Sequence, residues 1–551
     1  MEKKWWQDEV VYQIYPKSFY DSNGDGIGDL KGITKKLDYL KELGITMIWI
    51  CPIFSSPMVD NGYDISDFEG INPEFGTMDD FNQLLEEAKK RDIKIILDLV
   101  INHTSDEHPW FQKAIKDPTS KYRDYYIFKP GIDGNPPNNW RSIFGGSVWE
   151  KLPEEDLYYL HVFDKKQPDL NWENKEMRQE LYAMINRWLD KGVAGFRIDS
   201  ITFIKKDSDY AGLPADGADG LVSCKHKTRN RPGIEYFLNE LKANTFERYD
   251  AVTVGEAPGV NYEDYDQFIG KDGYFSMIFD FHYADIDVKS GSDWFKRTNW
   301  TVSEFKELLF RSQNALQEAG WGANFLENHD QPRVLSKLIR EEKWRTPETA
   351  KTLGMLYFFL RGTPFIYQGQ ELGMKNFRRS TIDAFNDISS IDNYYRSIQE
   401  GFSKEEALQF VNLRSRDNTR TPFPWEGKQY GGFTTGKPWL DMAEEYPTVN
   451  AVDNSVYTFY QKMIQLRQDS AWSNVLTFGN ITEIKDVPEE VIAYERTDKD
   501  KSVSILINLS TEKKTVILNH SVENIILHSQ SEPLVAGKEI TLQPYQGMTI
   551  G

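Results

Sequence analysis

The sequence predicts an α/β protein built on a closed (β/α)8 barrel, a TIM barrel, with an inserted small domain and a C-terminal antiparallel β-sandwich. Short apolar strands alternate with amphipathic helices along most of the 551 residues, which is the βα repeat of a parallel sheet. Eight such strands can be counted, and eight strands close a barrel of this kind. The repeat is interrupted once, after the third strand, and changes to short strand-like runs after about residue 478.

The predicted strands are short apolar runs, several of which end in polar residues. In chain order they are Val10–Pro16, Thr46–Pro52, Ile93–His103, Gly195–Ser200, Val252–Ala257, Phe275–Phe281, Asn324–Asp330 and Thr363–Glu371. Helical patterns separate most of these strands. The helices named from the pattern are Leu30–Leu43, Thr77–Arg91 and Lys175–Lys191.

The interruption covers residues 104–172, which are rich in Pro, Gly, Asn, Trp and Tyr and show no steady period. This segment is too long for a simple βα loop, so we predict an inserted domain there. The barrel then comprises residues 1–103 and 173–477, and the β-sandwich comprises residues 478–551.

Composition excludes several classes of protein. The chain has 65 Lys and Arg against 85 Asp and Glu, a formal charge of −20, so nucleic acid is a poor candidate partner. The two cysteines, Cys51 and Cys224, show neither a disulfide framework nor a zinc pattern. The sequence shows no signal peptide and no apolar stretch of membrane-spanning length, so we expect a cytoplasmic protein without membrane contact, and a monomer.

The segment Gly195–Ser200 (GFRIDS) places two opposite charges in an apolar run. Alternate residues of a strand share a face, so Arg197 and Asp199 point the same way and can pair. A neighbouring cation lowers an Asp pKa by roughly 1–3 units, which keeps Asp199 ionised as a carboxylate nucleophile requires. An ordinary buried ion pair is an equally good interpretation of this segment alone.

Polar side chains recur at the C-terminal ends of the predicted strands, where barrel enzymes build their active sites. They are His103, Arg197, Asp199, Glu256, His329 and Asp330. Glu256 follows the tight run Thr-Val-Gly, which should raise its pKa and suit a general acid. A nucleophile and an acid/base at about 5–5.5 Å define a retaining glycosidase. The histidines can bond sugar hydroxyls and Tyr63 can stack on a pyranose ring, although each His taken singly is more simply structural.

The loop after the first strand, Asp21-Ser-Asn-Gly-Asp-Gly-Ile-Gly-Asp29, repeats oxygen-bearing side chains between glycines. Calcium takes six to eight oxygen ligands, and EF-hand loops offer theirs at similar alternate positions. We predict a structural calcium site, with a polar Gly- and Asp-rich turn as the alternative. Its ligands would be Asp21, Asn23, Asp25, Asp29 and the carbonyl of Ile27.

Four segments resemble the α-amylase family of glycoside hydrolases (glycoside hydrolase family 13), and the resemblance covers nearly the whole chain. They are Asp98–His103, Gly195–Ser200, Gly255–Glu256 and Phe325–Asp330. The resemblance implies that Asp199 is the nucleophile, Glu256 the acid/base and Asp330 the third carboxylate, which orients the sugar. It also implies a lining of the −1 subsite by Asp60, Tyr63, His103, Arg197 and His329.

Within this family the chain looks most like the oligo-1,6-glucosidase branch. The Asp21–Asp29 loop resembles the calcium loop of that branch, and Gln167–Asn171 (QPDLN) resembles its signature. Arg414–Arg420 looks like its pocket-closing segment and would place Arg416 near the glucose. A closed pocket implies exo action on short substrates.

One residue and two segments bear on which substrate the enzyme cleaves. Ser200 follows the nucleophile, where the α-1,6-acting members often carry Val and the α-1,4-acting members Ala or Thr. Tyr283–Lys289 lacks the arginine pair of the related sucrose isomerases. The basic segment Ser223–Arg231 is a candidate contact for a phosphorylated sugar.

The sequence therefore predicts a retaining exo-α-glucosidase of short α-glucosides, with isomalto-oligosaccharides first and maltose or sucrose as further substrates. A sucrose isomerase or other transglucosylase and a trehalose-6-phosphate hydrolase remain alternatives. A non-catalytic amylase-like module is a further alternative of another class, disfavoured because all three carboxylates are present and the chain has no membrane span.

Overall fold

The computed structural model describes residues 3–499 and 501–551, and at its centre eight parallel strands close into a barrel. Each strand pairs with the next one along the chain, and the last pairs with the first through Val11 and Phe365. The strands are β1 (Val11–Ile14), β2 (Met47–Ile50), β3 (Lys94–Leu99), β4 (Gly195–Ile198), β5 (Val252–Glu256), β6 (Met277–Phe279), β7 (Gly322–Asn324) and β8 (Thr363–Tyr367). This closed parallel sheet confirms the predicted fold class.

The observed strands are shorter than the predicted ones, because polar residues at their ends belong to loops. The seventh strand differs most: it was predicted over Asn324–Asp330 and lies at Gly322–Asn324, so this prediction was wrong. The apolar residues after Asn324 are buried but unpaired with a neighbouring strand. Beyond them the Glu327 carboxylate accepts a bond of 2.9 Å from Arg333 and fixes a loop that carries the polar end of the segment.

The helices pack around the barrel, and many of them begin at a residue whose side chain caps the first turn. They are α1 (Leu30–Lys35), α2 (Leu37–Leu43), α3 (Met78–Lys90), α4 (Pro109–Lys116), α5 (Lys175–Asp190), α6 (Lys225–Thr228), α7 (Ile234–Asn244), α8 (Tyr265–Ile269), α9 (Val302–Ala319), α10 (Val334–Leu338), α11 (Pro347–Phe358), α12 (Ile388–Gln399), α13 (Lys404–Arg414), α14 (Ser455–Gln468) and α15 (Ser473–Phe478). The single helix predicted over Leu30–Leu43 is divided at Lys36, whose φ of −104° and ψ of 6° leave the helical range. Thr77 caps α3 in a reciprocal capping box with Asp80. Within the described ranges, none of the helices combines the length and apolarity needed to cross a bilayer.

A small layer stands over the barrel between β3 and α5. Phe128–Pro130, Trp149–Lys151 and Leu157–Leu160 form a three-stranded antiparallel sheet. Trp140–Arg141 pairs in parallel with Val222–Ser223, which comes from the loop after β4. The core of this layer includes Trp140, Val148, Trp149, Leu160, Phe203 and Cys224. The loop after β4 is thereby anchored above the mouth of the barrel.

The C-terminal part consists of two antiparallel sheets, as predicted. Its strands are β9 (Asn480–Glu483), β10 (Val491–Thr497), β11 (Ser502–Asn508), β12 (Lys514–Ile517), β13 (Ile525–His528), β14 (Leu534–Ala536), β15 (Glu539–Leu542) and β16 (Gly547–Ile550). The sheet order is β9-β10-β11-β16-β13 in one sheet and β12-β15-β14 in the other. Buried Arg496 donates to the carbonyl oxygens of Phe359 and Leu476, at 2.6 and 2.7 Å, and so joins this part to the helices of the barrel.

Candidate active site

A cavity of about 690 Å³ opens at the C-terminal ends of the barrel strands. Most of the predicted catalytic and binding residues line it, namely Asp60, Tyr63, His103, Asp199, Glu256, Asp330 and Arg416. Arg197 and His329 lie behind this wall, with 1% and 0% of their surfaces exposed. The barrel therefore brings residues from six separate loops or strand ends together at one place.

Arg197 is the centre of the carboxylate arrangement. Its Nη1 lies 2.7 Å from Oδ1 of Asp199 and 2.7 Å from Oδ1 of Asp98, and its Nη2 lies 2.9 Å from Oε2 of Glu256. A guanidinium offers several donors in a rigid plane, so it can hold three carboxylates in fixed positions. The nucleophile and acid/base candidates are thus anchored to the same cation.

Asp98 is a member of this arrangement that sequence reasoning did not single out, although it begins one of the family-like segments. It is fully buried on β3, and its Oδ2 accepts bonds from the Trp49 indole at 3.1 Å and from the Tyr63 hydroxyl at 2.9 Å. Buried charges need partners, and Asp98 supplies Arg197 with a permanent one that does not face the cavity. In the sequence, the apolar neighbours of Asp98 on its strand were the only sign that this residue is buried.

Glu256 is held by the backbone as well as by Arg197. The Ser200 N–H donates to Oε2 of Glu256 at 2.7 Å. Ser200 adopts a left-handed backbone conformation, with φ of 44° and ψ of 33°, which costs a non-glycine residue about 1–3 kcal/mol. That conformation turns the amide after the nucleophile toward the acid/base, so the two catalytic candidates are positioned by one short segment.

Burial changes the proton affinities of both carboxyl groups. Burial raises the pKa of Glu256 to about 7 despite the opposing Arg197, which confirms the predicted rise. Burial also raises the pKa of Asp199 to about 6; Arg197 opposes this rise and Asp98 adds to it. The predicted net fall of the Asp199 pKa was therefore wrong: Arg197 lowers this pKa as expected, but burial outweighs the arginine and Asp98 adds to the rise. Asp199 still ionises before Glu256 as pH rises.

Asp330 has a different electrostatic setting from the other two carboxylates. Its Oδ1 lies 2.8 Å from Nη2 of Arg420 and 3.5 Å from Nη1 of Arg416, and its Oδ2 lies 3.3 Å from the His329 ring. Burial alone would raise the pKa of Asp330, but the polar and charged groups around it, the guanidinium groups of Arg416 and Arg420 among them, outweigh burial and hold that pKa well below its usual range. Asp330 is thus a constant negative charge, and Arg420 is a partner that sequence reasoning missed.

His329 is neutral, and both of its ring nitrogens form hydrogen bonds. Burial lowers its pKa to about 3. The Gln13 amide donates to its Nδ1 at 2.8 Å, so the proton is on Nε2, which donates to the Tyr63 hydroxyl at 2.5 Å. The Tyr63 ring stacks on the imidazole, with centroids 5.3 Å apart and planes 11° apart. This chain of bonds continues to Asp98 and fixes the floor of the site; Gln13, on β1, gave no signal in the sequence.

One end of the cavity is closed by a charged wall. Arg416 Nη2 lies 2.8 Å from Oδ1 of Asp60 and 2.7 Å from Oδ1 of Asp387. The Gln167 amide donates to the other Asp60 oxygen at 3.1 Å and lies 3.3 Å from Nε2 of His103. Gln167 comes from the inserted layer and Arg416 from the segment after β8, so two distant parts of the chain close the same end. Asp387 was not predicted.

Aromatic rings line the cavity, several of them on the side of the inserted layer. These rings, which no sequence period marked, are Phe144, Phe163, Phe203 and Phe281. Phe163 lies against His103 with centroids 5.2 Å apart, and the Arg416 guanidinium lies 5.3 Å from the Phe144 ring. Flat apolar faces next to charged groups suit a sugar, which has both C–H faces and hydroxyl edges.

The predicted calcium loop lies apart from the cavity, since none of its five residues lines it. Asp21, Asn23 and Asp25 each accept, through Oδ1, the N–H two residues further on, at 2.8–2.9 Å. Asp29 accepts the Ser22 N–H at 2.8 Å and caps α1. The repeated turns align hard oxygen atoms of the kind calcium prefers. Within the described ranges, however, no three Asp, Glu, His or Cys side chains come together as a metal-holding group, so the fit is incomplete.

Comparisons with known proteins agree with this geometry. The family model for the alpha amylase catalytic domain matches residues 13–475, and the model for the alpha-amylase SusG C-terminal domain matches residues 491–548. The chain is similar to an oligo-1,6-glucosidase of Bacillus cereus, 42% identical over 100% of this chain and 99% of that protein. It is 39% identical to a trehalose-6-phosphate hydrolase of Bacillus subtilis, over 99% and 97%.

Among solved structures, the fold matches that of an isomaltulose synthase from Protaminobacter rubrum, with a TM-score of 0.93 and 40% identity, over 100% of this chain and 99% of that chain. The matched catalytic model covers far more than half of the chain, and its span contains β2 to β8 and all three cavity carboxylates. The chain therefore belongs to the α-amylase family of glycoside hydrolases and is an enzyme of that class.

Proposed function

We propose that this enzyme is a retaining, exo-acting α-glucosidase of short α-glucosides, with the α-1,6 linkages of isomalto-oligosaccharides as its first substrates. The observation that carries the proposal is the shared anchoring of Asp199 and Glu256 on Arg197, with pKa values of about 6 and 7. Two carboxyl groups whose environments separate their pKa values can act as nucleophile and acid at the same pH.

The reaction follows from the ionised state of Asp199 and the protonated state of Glu256. Ionised Asp199 attacks the anomeric carbon while protonated Glu256 gives its proton to the departing glycosidic oxygen, so the glycosidic bond breaks as the glucosyl–Asp199 ester forms. Ionised Glu256 then takes a proton from water, whose oxygen attacks the same carbon and releases glucose and free Asp199. Two inversions retain the α configuration. Asp330, constantly ionised, is placed to accept bonds from sugar hydroxyls and to favour the positive transition state.

Exo action is supported by the closed end of the cavity. The Asp60–Arg416 pair and Gln167 occupy the end of the cavity. A sugar chain that continued beyond the terminal glucose would need this space. These groups are charged or polar and can bond the hydroxyls of a chain end, and their mutual bonds hold them in place. The α-1,6 preference is supported by the oligo-1,6-glucosidase of Bacillus cereus, while Ser200 leaves maltose and sucrose as further candidate substrates.

Product analysis tests this proposal. Purified enzyme is incubated separately with isomaltose, maltose, sucrose and trehalose, and the products are followed by chromatography and by ¹H NMR of the first-formed anomer. We expect fastest glucose release from isomaltose, with α-glucose first. First-formed β-glucose would overturn the retaining mechanism. Isomaltulose or trehalulose as the main product from sucrose would assign the enzyme to the transglucosylases.

We further propose that the Asp21–Asp29 loop binds a structural calcium ion, that the protein is a monomer and that it resides in the cytoplasm. The aligned Asp and Asn oxygens support the calcium site. Light scattering on the purified protein and fractionation of producing cells test the last two proposals. The calcium test is given with the predictions below.

A further inference from the structure

The side of the cavity that receives the leaving group can be located from Glu256. An acid protonates the oxygen of the departing group, so the aglycone must lie on the Glu256 side of the broken bond. The residues that follow Glu256, from Ala257 to Gly259, line the same cavity. Arg229 packs against them: a Cβ placed on Gly259 would lie only 2.4 Å from its Nε. Arg229 therefore borders the aglycone region.

Two cations from α6 and its end face this region. The Arg229 N–H bonds the Lys225 carbonyl oxygen, so the two residues are one turn apart, and both line the cavity. Lys225 Nζ donates to the hydroxyl oxygens of Ser290 and Ser292, at 3.0 and 2.9 Å, from the loop after β6. Within residues 3–499 and 501–551 neither cation forms an ion pair, and no hydrogen bond from the Arg229 guanidinium is found.

The acidic residues on this side do not neutralise them, because each has its own partner. The pairs are Asp216 with Arg141, Asp280 with His282, Asp285 with Arg414, and Asp293 with Arg396. A further cation, Lys289, also lines the cavity. Among the described residues, Lys225, Arg229 and Lys289 therefore have no ion-pair partner of their own.

Lys227 lies on the same short helix but, unlike Lys225 and Arg229, forms ion pairs. It lies outside the cavity lining, and its Nζ is 2.8 Å from Asp209 and 3.2 Å from Asp207. The basic segment therefore pairs its outward-facing charge within the protein and leaves its inward-facing charges free. Burial lowers the pKa of both Lys225 and Arg229; for Lys225 the nearby Asp293 and Asp285 oppose this fall without reversing it.

We propose that Lys225, Arg229, Ser290 and Ser292 form an anion-binding aglycone subsite, so that a phosphomonoester on the aglycone sugar makes an α-glucoside a better substrate than its unphosphorylated counterpart. The inference rests on the proposed α-glucosidase function and names its substrate class. A phosphate has three strong acceptor oxygens, which an ammonium, a guanidinium and two hydroxyls can satisfy together. A uronic acid carboxylate shares the negative charge but offers only two such oxygens.

The closed end of the cavity supports this direction of binding. At the terminal glucose position, Asp60 is paired with Arg416 and Asp330 with Arg420, so the cations there are already committed to carboxylates, unlike Lys225 and Arg229. The unmodified glucose therefore binds there, and the phosphorylated sugar occupies the aglycone side. Trehalose 6-phosphate has this combination of one neutral and one phosphorylated glucose and serves as the probe, with trehalose as its neutral counterpart.

The first measurement compares kcat/KM for trehalose 6-phosphate and trehalose in the full-length enzyme. We expect the phosphate to raise kcat/KM by at least about 100-fold, since each charge-assisted bond contributes a factor of about 10–100. The ratio should fall as salt is increased. A ratio near one or below would overturn the proposal. Glucose 6-phosphate should inhibit more strongly than glucuronate; the reverse order would overturn the assignment to a phosphomonoester.

Variants separate this subsite from the catalytic groups. The double change Lys225→Gln and Arg229→Gln should lower the ratio at least tenfold, through a larger loss of kcat/KM on trehalose 6-phosphate than on trehalose. The matched control Lys227→Gln should change neither rate. An equal loss on both substrates would overturn the proposed subsite. Should the wild-type enzyme cleave none of these glucosides, the α-glucosidase proposal itself would fail, a result distinct from cleavage without phosphate preference.

Discussion

Replacing Glu256 with Gln should strongly slow catalysis and at the same time stabilise the fold at neutral and higher pH. Glutamine keeps the shape of the protonated acid, and its amide oxygen can still accept bonds from the Ser200 N–H and from Arg197. It has no proton to give to the leaving oxygen. We therefore expect kcat/KM to fall by about 10²–10⁴-fold, the usual contribution of general acid–base catalysis.

The stability change follows from the raised pKa. Folding moves the pKa of Glu256 from 4.5 to about 7, so between these values the unfolded chain loses a proton that the folded protein keeps. Wild-type stability from this group is fully present below pH 4.5 and is lost as pH rises through 7. The rise corresponds to about 3 kcal/mol. The Glu256→Gln variant has no such loss, so its advantage over the wild type should grow by about 3 kcal/mol between pH 4 and pH 8.

Urea unfolding of both proteins at pH 4, 6 and 8, followed by tryptophan fluorescence, measures this difference. Glu263→Gln, which removes one carboxylate at an exposed position, is the matched control. If the difference between Glu256→Gln and wild type varies with pH no more than that of the control, the burial penalty on Glu256 does not exist. A fall in the variant's relative stability toward pH 8 would mean that Arg197 outweighs burial, which would reverse the electrostatic reasoning.

Other predictions concern the remaining groups. Asp199→Asn should remove nearly all turnover while circular dichroism remains unchanged; near-normal turnover would refute the nucleophile assignment. The kcat/KM of the wild-type enzyme should be highest between about pH 6 and 7, limited by ionised Asp199 on the acid side and protonated Glu256 on the alkaline side. Asp98→Asn should move the acid limb of that profile to lower pH, because it removes a charge that raises the pKa of Asp199; an unmoved limb would contradict the coupling. Asp21→Ala should lower the melting temperature and abolish its calcium dependence, whereas equal melting of the wild type in calcium and in chelator would dismiss the ion site.

The alternation of strand and helix was enough to predict the barrel, because a parallel sheet buried on both faces needs apolar strands and covering helices. Strand ends were less predictable. The segment after Asn324 begins with two apolar residues, as a strand would, but it lies in a loop in which Glu327 pairs with Arg333. Such a pairing is made between side chains of a loop, and periodicity carries no information about it.

By itself the sequence determined the fold class, the family and the identity of the three carboxylates that line the cavity, because these depend on residue type and order along the chain. The tertiary structure alone decided their protonation. It placed Asp98 behind Arg197, and so divided one positive charge among three carboxylates and let burial set the pKa values of Asp199 and Glu256. It also decided which cations of the basic segment face the cavity unpaired. Charge balance at a buried site depends on distances across the barrel, and those distances exist only when the chain has closed.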